Sequence, residues 1–201
     1  MMSTRLAPLL PFVVVALTMW ATPGPNNMML MYSGARFGLA RTLPQLLGIL
    51  TGTLLLSAIG ILALAPVIDA WPRGVLLLKL AGSVWLLRIG WRMARASLGT
   101  GPSDDTRPMR FMAAVLFQFA NPKAVTATIA LASLVLVPAR SHPWLPAAVL
   151  LLVPPLCLLA NGPWALAGRS LRGFLSTPLR WRLYAITTGA VTAGCTVFLW
   201  T

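Results

Sequence analysis

Thr22-Pro23-Gly24-Pro25-Asn26-Asn27 and Asn121-Pro122-Lys123 each interrupt a long apolar segment, one in each half of the chain. Proline cannot donate to the helical ladder and disfavours a helical residue before it, so each cluster predicts a broken helix. In a bilayer no water satisfies the freed backbone groups, and breaks persist only where they are buried in protein or line a polar cavity. Proline at the first helical turn loses no intrahelical bond, and an Asn before it can cap the new helix. Asn121-Pro122-Lys123 has that order, and Gly24-Pro25-Asn26 has it with glycine as the permissive residue. Each break then presents a helix N-terminus, with unpaired N–H groups and the positive end of a dipole. The preceding half-helices are expected to leave free carbonyls near residues 19–21 and 118–120. Donors suit a carboxylate and carbonyls suit an ammonium. An amino-acid zwitterion carries both.

The first break thus contributes Thr22, Gly24, Pro25, Asn26 and Asn27 to a candidate substrate site, and the second contributes Gln118, Asn121, Pro122 and Lys123. Lys123 is the sharpest of these, because an ionisable group deep in a span is costly and marks function by default. Beside a helix N-terminus its charge suits a substrate carboxylate. The alternatives are a lysine that snorkels along roughly 13 residues of helix, or one bonded to backbone carbonyls. Lys79 and Arg88 fall near opposite ends of a span, where snorkelling is easy. Asn161, with Gly162-Pro163 after it and Pro154-Pro155 before, predicts an irregular fifth span and a further cavity donor. Met28, Met29 and Met31 raise soft-metal transport. They lack paired Cys or His, so packing is the preferred reading. His142, next to Pro143, reads as a solvated loop residue. Cys157 and Cys195 lie in separate apolar segments without a CxxC, as small core residues would. Three acids and one histidine offer no catalytic set, so the chain is not expected to be an enzyme, nor to hold a metal or cofactor.

These residues must be positioned by membrane helices. The chain has 201 residues, 58% hydrophobic and 9% charged, with a mean hydropathy of +0.81, whereas soluble domains carry about a quarter charged residues. The net charge of +13 comes with no continuous basic face, so nucleic acid is not an expected partner. Arg5 and the apolar stretch 6–20 look like a signal peptide, but no A-x-A site follows, and retention as a first helix is expected. About 20 apolar residues cross the hydrocarbon core, and six spans are predicted at 6–32, 43–68, 75–91, 111–137, 145–167 and 183–200. The fold class expected is an all-α integral membrane protein in two inverted three-helix repeats, the first helix of each broken. Residues 1–97 form the first repeat, 98–108 a cytoplasmic linker and 109–201 the second.

Arginines set the orientation. Arg36, Arg41, Arg92, Arg95, Arg107, Arg110, Arg169, Arg172, Arg180 and Arg182 fall on one side, and Arg5, Arg73 and Arg140 on the other. That asymmetry puts the rich side in the cytoplasm and both termini outside. Paired broken helices in two inverted halves point to the binding site of a secondary transporter. Trp71, Trp85, Trp91, Trp144, Trp181 and Trp200 lie toward span ends, as an interfacial belt would. Gly48 and Gly52 form a GxxxG expected to serve close helix packing.

Thr22-Pro23-Gly24-Pro25-Asn26-Asn27 continues into Ser33-Gly34-Ala35-Arg36-Phe37-Gly38. Later come Leu86-Leu87-Arg88-Ile89-Gly90-Trp91 and Phe117-Gln118-Phe119-Ala120-Asn121-Pro122-Lys123-Ala124. The series resembles the LysE/RhtB family of bacterial amino-acid exporters in residue types, order and approximate spacing. The resemblance implies a multi-pass inner-membrane efflux protein for amino acids or related metabolites, driven by the proton gradient. Family members commonly carry an Asp in span two and another in span five. Here those places fall on Thr53, which joins the candidate site, and near Cys157, while Asp69, Asp104 and Asp105 belong to loops. Without an intramembrane carboxylate, the ammonium partner must be neutral, and coupling is either facilitated diffusion or proton exchange carried by Lys123. The partners implied are a zwitterionic small molecule and membrane lipid, with homo-oligomerisation left open. A non-transporting scaffold or accessory module, and metal-cation efflux, are the rival functions.

Overall fold

The structure is a computed structural model describing residues 7–70, 80, 83, 84, 87, 88, 90–95 and 108–194. After a 3-10 turn at Ala7–Leu9 come α1 (Leu10–Ala21), α2 (Pro25–Phe37) and α3 (Leu39–Ala70). Then follow α4 (Phe111–Ala120), α5 (Pro122–Ala139), α6 (Leu145–Leu171), a 3-10 turn at Phe174–Ser176, and α7 (Pro178–Gly194). Residues 90–95 are also helical, and the described residues contain no strand.

Both interruptions break their helices as expected. The axes of the helices flanking the first break differ by 55°, and those flanking the second by 67°. Two further helices, Leu39–Ile61 and Leu145–Leu171, are each long and apolar enough to cross a membrane, so the described residues supply up to four spans. The third predicted span falls largely outside the described residues, as do the linker acids Asp104 and Asp105, and Lys79, Cys195, Trp71, Trp85 and Trp200. Arg88 is helical and exposed.

Large apolar side chains cover the outside of the long helices. Leu43, Leu47, Leu55 and Ile59 are exposed along α3, as are Leu151, Leu158, Leu159 and Leu166 along α6. Stripes of this extent are unusual on soluble monomers and suit contact with lipid.

The core has three apolar clusters, and the breaks divide them. Phe12, Ala16, Ile61, Leu131, Val135, Val149 and Val153 join α1 and α5 to α3 and α6. On the other side of the breaks, Leu30, Leu46, Ile49, Ala114, Cys157 and Ala165 join α2 and α4 to the same two helices. Met29, Tyr32, Phe117 and Trp181 tie α2 and α4 to α7. A polar layer is thus held between apolar ones.

Glycines set how closely these helices approach. A Cβ on Gly48 would lie 2.4 Å from the Phe111 carbonyl oxygen, and one on Gly52 2.7 Å from that of Val115. The GxxxG is a packing face, seating α4 against α3. A Cβ on Gly34 would lie 2.2 Å from the Ala165 oxygen and one on Gly168 1.9 Å from the Met31 oxygen, so α2 and α6 meet backbone to backbone.

Four expectations need correction. Pro154, Pro155 and Pro163 do not make the fifth span irregular: α6 is one continuous helix, as neighbouring helices allow in membrane proteins. Asp69, read as a loop residue, falls within the helical residues of α3. Trp181 is no interfacial anchor. It is 3% exposed, packed 5.6 Å from the Tyr32 ring and beneath the Arg36 guanidinium. The last helix begins at Pro178, because proline at the first helical turn costs no hydrogen bond. Met28 and Met29 are buried, and Met29 packs in an apolar cluster, as preferred over a metal role. His142 is half-buried, its ring 6.0 Å from that of Trp144.

Candidate functional site

Asn121 caps α5 as its place before Pro122 predicts: its side-chain oxygen accepts the Lys123 backbone N–H at 3.2 Å. Gly24 starts α2 without a side-chain cap. Its backbone is extended (φ −176°, ψ −178°), a conformation open to any residue, so conformational freedom is not its role. Space is. A Cβ there would lie 2.7 Å from Lys123 Cδ and 3.0 Å from Nζ. Pro25 and Pro122 each occupy the first turn of their helix.

The two breaks lie against each other. Asn26 Nδ2 donates to Gln118 Oε1 at 2.8 Å, and Gln118 Nε2 donates back to Asn26 Oδ1 at 3.2 Å. Gln118 Nε2 also donates to the Ala114 carbonyl at 3.0 Å, which fixes the orientation of that amide. From the second break Lys123 reaches across, its Nζ donating to the Thr22 carbonyl oxygen and, at 3.3 Å, to that of Pro23. Of the readings open for Lys123, the structure shows the one bonded to carbonyls.

Four of the six carbonyls expected to be free are occupied. The Met19 oxygen accepts from Thr22 Oγ1 (2.9 Å), and the Trp20 oxygen from Asn27 Nδ2 (3.0 Å). The Ala21 oxygen accepts from Trp164 Nε1 (3.1 Å), and the Gln118 oxygen from the Asn121 backbone N–H (3.4 Å). In a bilayer a carbonyl left unpaired costs several kcal/mol, and side chains folding back over the break remove that cost.

Between the breaks lies a cavity of about 30 Å³. Gly24, Asn26, Asn27, Thr53, Gln118, Asn121, Lys123 and Asn161 line it, so most of the expected residues converge. Thr22, Pro25 and Pro122 shape the backbone instead. Lys123 is the ionisable group among these lining residues, and the rest of the polar lining is neutral amide and hydroxyl. Asn27 and Asn121 are each 1% exposed, and Gln118 is fully buried. Asn27 Nδ2 also donates to the Thr22 oxygen at 2.7 Å, while its Oδ1 is buried without a hydrogen-bond partner among the described residues. Asn161 spends its Nδ2 on its own helix, 2.9 Å from the Cys157 carbonyl and 3.4 Å from Cys157 Sγ.

Met19, Trp20 and Ala124 also line the cavity, and Trp164 secures the end of α1. Sequence reasoning placed carbonyls of residues 19–21 at the break but did not name these four as site residues. Met19, Trp20 and Ala124 adjoin the breaks in sequence, a signal that was present. Trp164 comes from α6, and only packing brings it there.

A family model of the LysE type translocator matches residues 17–201. The chain is 32% identical over 179 residues to a protein of Klebsiella pneumoniae subsp. pneumoniae called cysteine/O-acetylserine efflux protein, covering 87% of this chain and 90% of the relative. A protein of the same name from Escherichia coli O1:K1 is 31% identical over 154 residues, covering 73% of this chain and 75% of the relative. No solved structure matches the chain significantly.

Proposed function

We propose that this chain, which belongs to the LysE type translocator family and is therefore a transporter and not an enzyme, exports small amino acids as zwitterions through the cavity between its two breaks. The observation that carries this reading is the cavity lined by polar residues of both breaks, where an ammonium already sits on backbone carbonyls. Cysteine and O-acetylserine, named for the two relatives above, are the first substrates to test.

In this reading six spans form two inverted three-helix repeats in the bacterial inner membrane. The arginine-rich loops face the cytoplasm and both termini lie outside. Gly24, Asn26, Asn27, Thr53, Gln118, Asn121, Lys123 and Asn161 line the substrate site, and Thr22, Pro25 and Pro122 shape the breaks that hold them. A cavity of about 30 Å³ holds about one or two waters, and in this reading the breaks are drawn together in a closed state. Binding then requires the half-helices to part, as in alternating access between repeats.

Export is tested by comparing amino compounds in the medium of cells that overexpress the chain with those of cells that lack it. Cysteine, O-acetylserine or another small amino acid should rise with expression. A medium unchanged in every amino compound defeats the proposal.

A further inference from the structure

We infer that the carbonyls of Thr22 and Pro23, together with Asn27 Oδ1, form the subsite for the substrate's ammonium, and that Lys123 fills it in the closed state as a tethered stand-in. The inference rests on the proposed function in taking a primary ammonium as the ligand.

Two independent observations carry it. The Lys123 ammonium donates to the Thr22 and Pro23 carbonyls across the gap between the breaks. Separately, Asn27 Oδ1 is a buried acceptor with no partner among the described residues, on a side chain that lines the same cavity and is 1% exposed. The Asn27 amide cannot turn to relieve this, because its Nδ2 is held by the Trp20 and Thr22 carbonyls. A buried acceptor left unpaired is destabilising unless a ligand or water completes it. An ammonium has three donors and no acceptor. Lys123, tethered to the second break, leaves Asn27 Oδ1 unpaired, whereas a free substrate ammonium in its place is not so tethered and can turn its third donor to that oxygen.

The exchange also accounts for selectivity. A ligand's ammonium must displace that of Lys123, which leaves a second cation beside it. A zwitterion compensates by offering its carboxylate to the displaced lysine. An amine without a carboxylate does not, and is rejected. The residue that selects for the carboxylate thus does so by blocking the ammonium's place.

The test uses the full chain in detergent and three probes by calorimetry: S-methylcysteine, its amine-only counterpart 2-(methylthio)ethylamine, and its acid-only counterpart 3-(methylthio)propanoate. In Lys123→Met the amine should bind at least about tenfold tighter than in the unmodified chain, as removal of a charge-assisted competitor implies. The preference for the zwitterion over the amine should disappear, and the acid should not bind. Lys123→Gln keeps a neutral donor for the carbonyls and serves where methionine does not fold. It should shift the amine in the same direction by less, because a neutral hydrogen bond is easier to displace. Amine binding that is unchanged or weaker in the folded variants overturns the inference, since a lysine with only a structural or carboxylate-binding role predicts that outcome. The amine arm is read alone. Absence of S-methylcysteine binding and export in the unmodified chain counts against the proposed function instead.

Discussion

Asn26 and Gln118 exchange two hydrogen bonds across the breaks, and their chemistry is testable by itself. Replacing one amide by an apolar side chain strips the other of its partner across the breaks, and for Gln118, which is fully buried, that costs about 1–3 kcal/mol. Asn26→Leu or Gln118→Met alone should therefore lower the melting temperature of the detergent-solubilised protein. The double variant should lose clearly less than the sum of the two. Additive losses would show that the pair does not interact. Asn121→Ala removes the cap on α5 and should cost about 0.5–2 kcal/mol in the same measurement. These amides were legible in sequence as polar residues beside prolines, and the cap was legible as a cap. That Asn26 would meet Gln118 was not, because nothing local relates residues 92 apart.

At the scale of elements, the prolines and glycines have separate jobs. The prolines end one helix and start the next, a local rule that sequence alone expresses. The glycines mark close approaches whose partners only packing supplies. Gly168→Ala should be strongly destabilising, because its Cβ would fall 1.9 Å from the Met31 carbonyl oxygen and backbone must move. Overpacking of this kind costs about 1–3 kcal/mol. Gly173→Ala is the control. Nothing lies within 4 Å of its Cβ position, its backbone is helical (φ −64°, ψ −42°), and a neutral or slightly stabilising effect is expected. Thermal melts of both variants decide the matter, and equal effects would contradict the packing described for α2 and α6.

For the whole molecule, the open question is how export is driven. With Thr53 and a position near Cys157 where the family resemblance implies carboxylates, the proposed coupling is either facilitated diffusion or proton exchange on Lys123. In proteoliposomes with an imposed pH gradient, Lys123→Arg keeps a charge that cannot be shed. Accumulation driven by the gradient should therefore be absent in that variant. Its persistence would require a proton carrier elsewhere. The helical class, the membrane setting, the two breaks and the residues beside them follow from the sequence by itself. Hydropathy and proline act on the nearest few residues, through backbone geometry that every chain shares. The tertiary structure alone decided that Lys123 would reach the Thr22 carbonyl, that Trp164 would close the end of α1, and that Trp181 would be buried. Those outcomes depend on which helices lie side by side, and a polar group's partner is set by its neighbours in space.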